Sequence, residues 1–288
     1  MSTIKRILVC VTAILLSLNL FAEDDKKQES KKKDDWKKKF NTGVSLTQSS
    51  YSNWAKGGEN SIAWTIRLDG EIGKTCKNFE WDFTSLLTFG QVKAEKETPR
   101  TTIDKIDLDG SLSWKFGPYI NPYFGAGILT QFSTGYDYKV SPPAPKSKFW
   151  DPAYISQSMG AKVKIKNILD HQLGIGLKQT YTSEFNKYTD NPETNEIEKY
   201  KFETGIQSTT KINAKFAERI KVLSKMEMFS SFENIDVIDL RWDTLVTASL
   251  TKYIVLTLNV QVNYDKDVID KTQIKELAGL GISYNLFD

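Results

Sequence analysis

Few residues in this chain have the chemistry of catalysis or metal binding. There is one histidine, His171, and there are two cysteines, Cys10 and Cys76. Cys10 lies in an apolar leader, which leaves one imidazole and one thiol. That is too few for a nitrogen–sulfur metal site, so no metal or cofactor is expected. His171 falls in the tight polar link at residues 168–172. A lipid hydrolase would need it near the outer leaflet, beside a nucleophilic serine, and a turn residue is the simpler reading. Arg67-x-Asp69 and Asp107-x-Asp109 have the look of paired catalytic groups. Every-second-residue spacing on the polar face of a strand produces the same pattern without any reaction. Gly125-x-Gly127, Gly174-x-Gly176 and Gly279-x-Gly281 lack the following helix that a phosphate loop requires. Inside strands they relieve crowding in a curved sheet. The chain does not read as an enzyme.

The charges themselves are more informative. Asp69, Glu71, Glu80, Asp82, Asp107 and Asp109 fall in the first part of the chain, and Lys162, Lys164, Lys166, Lys178, Lys211, Lys221 and Lys225 in a later part. Their meaning depends on the elements that hold them. From Phe40 onward the apolar residues repeat with a period of two. Phe79, Trp81, Phe83, Leu87 and Phe89 alternate with Glu80, Asp82, Thr84 and Thr88, and Ile254, Leu256, Leu258, Val260 and Val262 with Thr257, Asn259, Gln261 and Asn263. Successive strand side chains point to opposite faces, so each such strand has one apolar and one polar face.

About twelve segments follow this rule, at 40–52, 59–74, 77–93, 101–117, 119–136, 152–167, 170–186, 199–216, 218–233, 236–251, 253–266 and 273–287. Tight links at 74–77, 117–122, 167–170, 216–219 and 251–253 alternate with looser ones at 53–59, 94–100, 137–151, 186–198 and 265–272, while 233–236 is a short exception. The proline- and charge-rich links at 137–151 and 186–198 are not expected to continue a strand. The expected fold is all-β: a transmembrane up-and-down antiparallel β-barrel of about 12 strands, with short periplasmic turns and longer external loops.

Three features favour a membrane barrel over a soluble one. The segments are long enough to cross a bilayer at a tilt. Too many charges sit mid-strand for a dry interior. Aromatic residues gather near strand ends: Trp81, Trp114, Phe116 and Tyr119 by the short turns, and Trp64, Tyr136 and Trp242 by the other ends. Such positions match interfacial girdles. Tyr51 and Trp54 then stand where the first strand leaves the membrane, and Gly57 and Gly58 let the chain turn.

On this fold the acidic residues face inward from strands two to four and the lysines from strands six to nine, roughly opposite across the lumen. An open lumen would then have a transverse field at a constriction. A narrow one would be sealed by pairing. The candidate lumen charges are Asp69, Glu71, Glu80, Asp82, Asp107, Asp109, Lys162, Lys164, Lys178, Lys211, Lys221 and Lys225.

The N-terminus supplies an address. Lys5 and Arg6 precede an apolar run at 7–21 that ends in Ala22, a secretory signal peptide at 1–22. Residues 23–39 mix lysine with acid and read as a charged periplasmic tether, leaving 40–288 for the barrel. The formal charge of +3 falls to near neutrality without the leader, so no nucleic-acid partner is implied. With Cys76 alone after cleavage, no internal disulfide forms.

The last strand, GLGISYNLF at 279–287, resembles the final strand of outer-membrane barrels, with Leu280, Ile282, Tyr284 and Leu286 alternating and Phe287 near the end; Asp288 departs from that pattern. Trp54, Gly57 and Gly58, in WAKGGENS at 54–61, resemble the Trp-x-x-Gly-Gly motif of an uncharacterised bacterial outer-membrane β-barrel family, a domain of unknown function. The resemblance implies a fold, an outer-membrane location, contact with membrane lipid and recognition of the last strand by the barrel assembly machinery. It brings no catalytic residues. Three functions follow: a small passive channel for polar solutes, a sealed structural or docking barrel that meets a partner through its loops or N-terminal tail, and, weakest, a lipid hydrolase.

Overall fold

Period-two alternation specifies strands, and strands with one apolar and one charged face have few ways to satisfy both. In the computed structural model, which describes residues 35–51, 59–166, 168–191, 193–266 and 269–287, they do so by closing on themselves. The barrel strands are β1 (Asp35–Ser49), β2 (Ser61–Thr75), β3 (Phe79–Ala94), β4 (Arg100–Trp114), β5 (Ile120–Thr130), β8 (Ala153–Ile165), β9 (Leu169–Tyr181), β10 (Tyr200–Ala217), β11 (Ile220–Ser231), β12 (Asp239–Ser249), β13 (Ile254–Asp265) and β14 (Ile269–Phe287). The order is β1-β14-β13-β12-β11-β10-β9-β8-β5-β4-β3-β2. Each strand pairs antiparallel with its chain neighbours, and β1 pairs with β14 from Phe40↔Phe287 to Leu46↔Leu280 to close the ring. Closure leaves no sheet edge along the paired length.

Several boundaries differ from the sequence expectation. β1 begins at Asp35, so 35–39, assigned to the tether, are paired with β2, Asp35↔Thr75 to Lys39↔Glu71. Pairing overrides composition here: alternate lysines turn toward the lumen, and Lys37 meets Glu71. β13 ends at Asp265 and β14 begins at Ile269, so both strands run into the link expected at 265–272. The link expected at 137–151 holds a strand after all. β6 (Gly135–Asp137) and β7 (Ala144–Ser147) form a separate two-stranded sheet. The only helix among the described residues is a single 3₁₀ turn, Asn186–Tyr188. The signal peptide, residues 23–34 and Trp54, Gly57 and Gly58 lie outside the described residues.

The barrel is inverted relative to a soluble protein. Ile175 is 58% exposed and Ile282 62%, whereas Lys162 is 2% exposed and Asp107 6%. Phe83, Ile66, Leu256, Leu258 and Leu280 are all exposed on the outer face. An exposed apolar belt of this extent around a charged interior is the transmembrane solution. Aromatic residues mark both rims. Trp36, Trp114, Phe116, Tyr119, Phe216 and Tyr253 are exposed at the short-turn end, and Phe132, Tyr136, Phe149, Tyr200 and Phe232 at the loop end. Trp36 packs edge-on against Trp81 at 5.8 Å, with Lys38 and Lys74 over its ring. Both described ends of the chain lie at the short-turn end.

Candidate functional site

The lumen is the site, and β4 is its central strand. Asp107 and Asp109 point inward from β4, as does Lys105 two residues earlier. Lys225 of β11 reaches Asp107 at 2.9 Å, Asp109 at 2.7 Å and Glu227 at 3.2 Å. Lys105 reaches Asp107 at 2.9 Å and Asp243 of β12 at 3.1 Å. β4 and β12 are six steps apart in either direction round the ring, so the Lys105–Asp243 pair spans the full width of the barrel. Asp243 is held in turn by Asn259 at 2.7 Å and Gln261 at 2.8 Å, both from β13. Lys211 adds a contact to Asp109 at 3.4 Å. These bridges cross the middle of the lumen.

A second group lies toward the short turns. Lys162 of β8 contacts Asp82 of β3 at 3.0 Å and Asp170 of β9 at 3.0 Å. Ser111 of β4 links them, accepting from Lys162 at 2.9 Å and donating to Asp82 at 3.0 Å. Lys164 pairs with Glu80. The route from β8 to β3 crosses only β5 and β4, so these pairs cut a chord rather than a diameter. Of the two sectors, β4 and β11 therefore lie nearly opposite, whereas β3 and β8 are only three steps apart.

The remaining candidates go elsewhere. Asp69 is bound bidentately by Arg67 of its own strand, at 2.8 and 2.9 Å, and Glu71 by Lys37. Lys178 lies toward the loop end and contacts Asp239 at 2.5 Å, Glu203 at 3.5 Å and Asp265 at 3.8 Å. Its contact with Glu203 is an ion pair without a hydrogen bond, since Glu203 Oε2 has no hydrogen-bond partner. Lys221 has no ion pair among the described residues. His171 sits within β9, not in the turn, and its Nδ1 meets Thr210 Oγ1 at 2.9 Å. Strand pairing begins at Leu169, which draws the histidine out of the link.

Sequence reading missed Lys105, Asp170, Glu203, Asp239 and Asp243. A signal for some of them was present. Lys105 shares the parity of Asp107, and Asp239 and Asp243 alternate with Leu240 and Trp242. Among the described residues no group of three or more His, Cys, Asp or Glu side chains is placed to hold a metal ion. Two cavities lie beside the bridges and a third away from them. One of about 250 Å³ reaches Asp82, Lys164 and Lys211, one of about 330 Å³ reaches Tyr154, Tyr188 and Arg241, and one of about 760 Å³ lies along β11–β14 and β1.

Residues 46–136 match the family described as Protein of unknown function (DUF3078). Residues 158–284 match Protein of unknown function, DUF481. No curated protein matches the chain. Among solved structures, the chain is similar to the translocator domain of the autotransporter NalP from Neisseria meningitidis, at 10% identity and a TM-score of 0.34, covering 96% of each chain. It is also similar to an outer membrane channel from Pseudomonas putida F1, at 12% identity and a TM-score of 0.36, covering 91% of this chain and 98% of that one. These likenesses are distant, and the fold rests on the strand pairing and sidedness described above. The chain is a twelve-stranded β-barrel of outer-membrane type, and most of its strands match families whose function is uncharacterised.

Proposed function

We propose that this protein is an outer-membrane barrel sealed at its waist, a structural or docking barrel, not an open diffusion channel. The observation that carries this reading is the double bridge from β4, Lys105 to Asp243 and Asp107 with Asp109 to Lys225. Charges that meet at 2.7–3.1 Å leave no space between them for a hydrated ion. The signal-like leader, the apolar belt and the aromatic rims support the outer membrane as its location. Lipid then covers the outer face, and β14 is the strand offered to the assembly machinery. A periplasmic partner would meet the N-terminal tail, and an external one the loops. No hydrolytic role is assigned to His171.

The second reading is a small pore for polar solutes in which the bridges act as a gate. The cavities of about 250 and 330 Å³ beside the bridges favour it. Planar-bilayer recording separates the two. The purified barrel is expected to show no conductance steps above background, and the triple variant D107N/D109N/K225Q to show discrete ones. Steady unitary currents from the unaltered protein would overturn the sealed reading.

A further inference from the structure

Two like-charged pairs face each other across β10 and β11: Lys211↔Lys225 and Lys215↔Lys221. Like charges directly opposite on one face repel. The first pair is neutralised from across the lumen by Asp107 and Asp109. The second lies four residues nearer the short turns on the same face. Among the described residues neither of its lysines has a carboxylate within ion-pair distance. The other charged side chains that line the cavity of about 760 Å³ beside them are Lys39, Arg67, Asp69, Glu218, Arg219 and Lys252. Of the two carboxylates in that set, Asp69 is already held by Arg67, which leaves Glu218 against the lysines, Arg219 and Lys252. The cations therefore exceed the anions available to them.

Lys39, Lys215 and Lys221 all border the cavity of about 760 Å³. Its wall is layered by strand register. Lys221, Thr247, Thr257 and Gly279 follow one another across β11–β14 on one rung. Leu223, Leu245, Asn259 and Leu277 form the next inward-facing rung, two residues farther from the short turns. All of these residues line the cavity. The first rung sets an ammonium beside two hydroxyls and a glycine that leaves room, and the second carries three leucines and Asn259. Inward-facing leucines break the polar-inside rule of a water-filled barrel, and Leu245 is only 8% exposed.

We propose that this cavity binds a single-chain amphiphile with a phosphate-monoester head. Lys215, Lys221 and Lys39 hold the head, and Leu223, Leu245 and Leu277 hold the chain. A dianion bearing several acceptor oxygens neutralises two facing ammoniums at once, where a single carboxylate compensates only one. The volume falls within the roughly 300–1,000 Å³ usual for small-molecule sites. The inference goes beyond the sealed-barrel reading and does not depend on whether the waist conducts.

The test is calorimetric titration of the full chain held in amphipol, with dodecyl phosphate, inorganic phosphate and dodecyl maltoside as separate probes. Dodecyl phosphate is expected to bind saturably, at least tenfold tighter than inorganic phosphate, and less tightly as salt rises. Dodecyl maltoside is expected to give no saturable heat. K215Q/K221Q should weaken dodecyl phosphate at least tenfold, and L245N should weaken dodecyl phosphate while leaving inorganic phosphate unchanged. Heat-modifiable gel migration checks that each variant is folded, and K215Q alone, near the exposed turn, serves if the double variant is not. Binding of dodecyl phosphate within twofold of the unaltered protein in the lysine variants would overturn the proposal, as would equal affinity for inorganic phosphate or no saturable binding.

Discussion

Replacing Lys225 by methionine tests whether the waist is a dry bridge or a wet pore wall. The substitution keeps most of the side-chain volume and removes the charge that Asp107, Asp109 and Glu227 share. At 2.9 Å and an effective dielectric constant of about 20, one such pair attracts by roughly 6 kcal/mol before desolvation is subtracted. Asp107 keeps Lys105 at 2.9 Å, and Asp109 keeps only Lys211 at 3.4 Å. The Lys225 side chain is 17% exposed and that of Asp107 8%, which puts the pair in the buried regime. Breaking a buried pair from one side costs about 3–5 kcal/mol, whereas an exposed pair is worth about 0–1 kcal/mol. K225M should therefore lower unfolding stability by about 3–5 kcal/mol, and K225M/D109N should recover part of that loss. The assay is guanidinium unfolding of the refolded barrel in detergent, followed by tryptophan fluorescence. A loss under 1 kcal/mol for K225M would mean that water screens the waist, and the sealed reading would fail.

Other outcomes follow from the geometry. I175K, placed on the lipid face where Ile175 is 58% exposed, should destabilise the barrel refolded into lipid vesicles by about 2–4 kcal/mol, read by guanidinium unfolding. G174A should block correct β8–β9 pairing. A Cβ at Gly174 would stand 2.0 Å from the Met159 carbonyl oxygen and 2.9 Å from the Gly160 Cα, and loss of the heat-modifiable folded band would show it. D151A should release the loop end of β8 and β9, because the Asp151 carboxylate accepts from the Glu184 N–H at 2.7 Å. A cost of about 1–3 kcal/mol is expected, with faster proteolysis in the loops as the readout.

Much of the architecture was legible because β-strand parity is local. The alternation of Phe79, Trp81 and Phe83 with Glu80 and Asp82 holds whatever the partner strand, so strand number, sidedness and aromatic rims could be read from spacing. The ends were less legible. Lysine-rich 35–39 resembled a tether until β2 supplied backbone partners. β7 arises within a proline-rich link that carries no strand signal of its own and pairs back on β6.

The amino-acid sequence determined which side chains face inward, since that depends only on odd or even position along a strand. It could not determine which inward charges meet. Ion pairing depends on ring order and on the stagger between strands that are distant in the chain. Ring order brought Lys105 to Asp243 across the full width and limited Lys162 and Asp82 to a chord. Ring order and stagger placed the cavity beside Lys215 and Lys221, which the β10–β11 hairpin itself sets opposite each other. Both are properties of closure, and a single strand carries no information about the curvature that closes the ring.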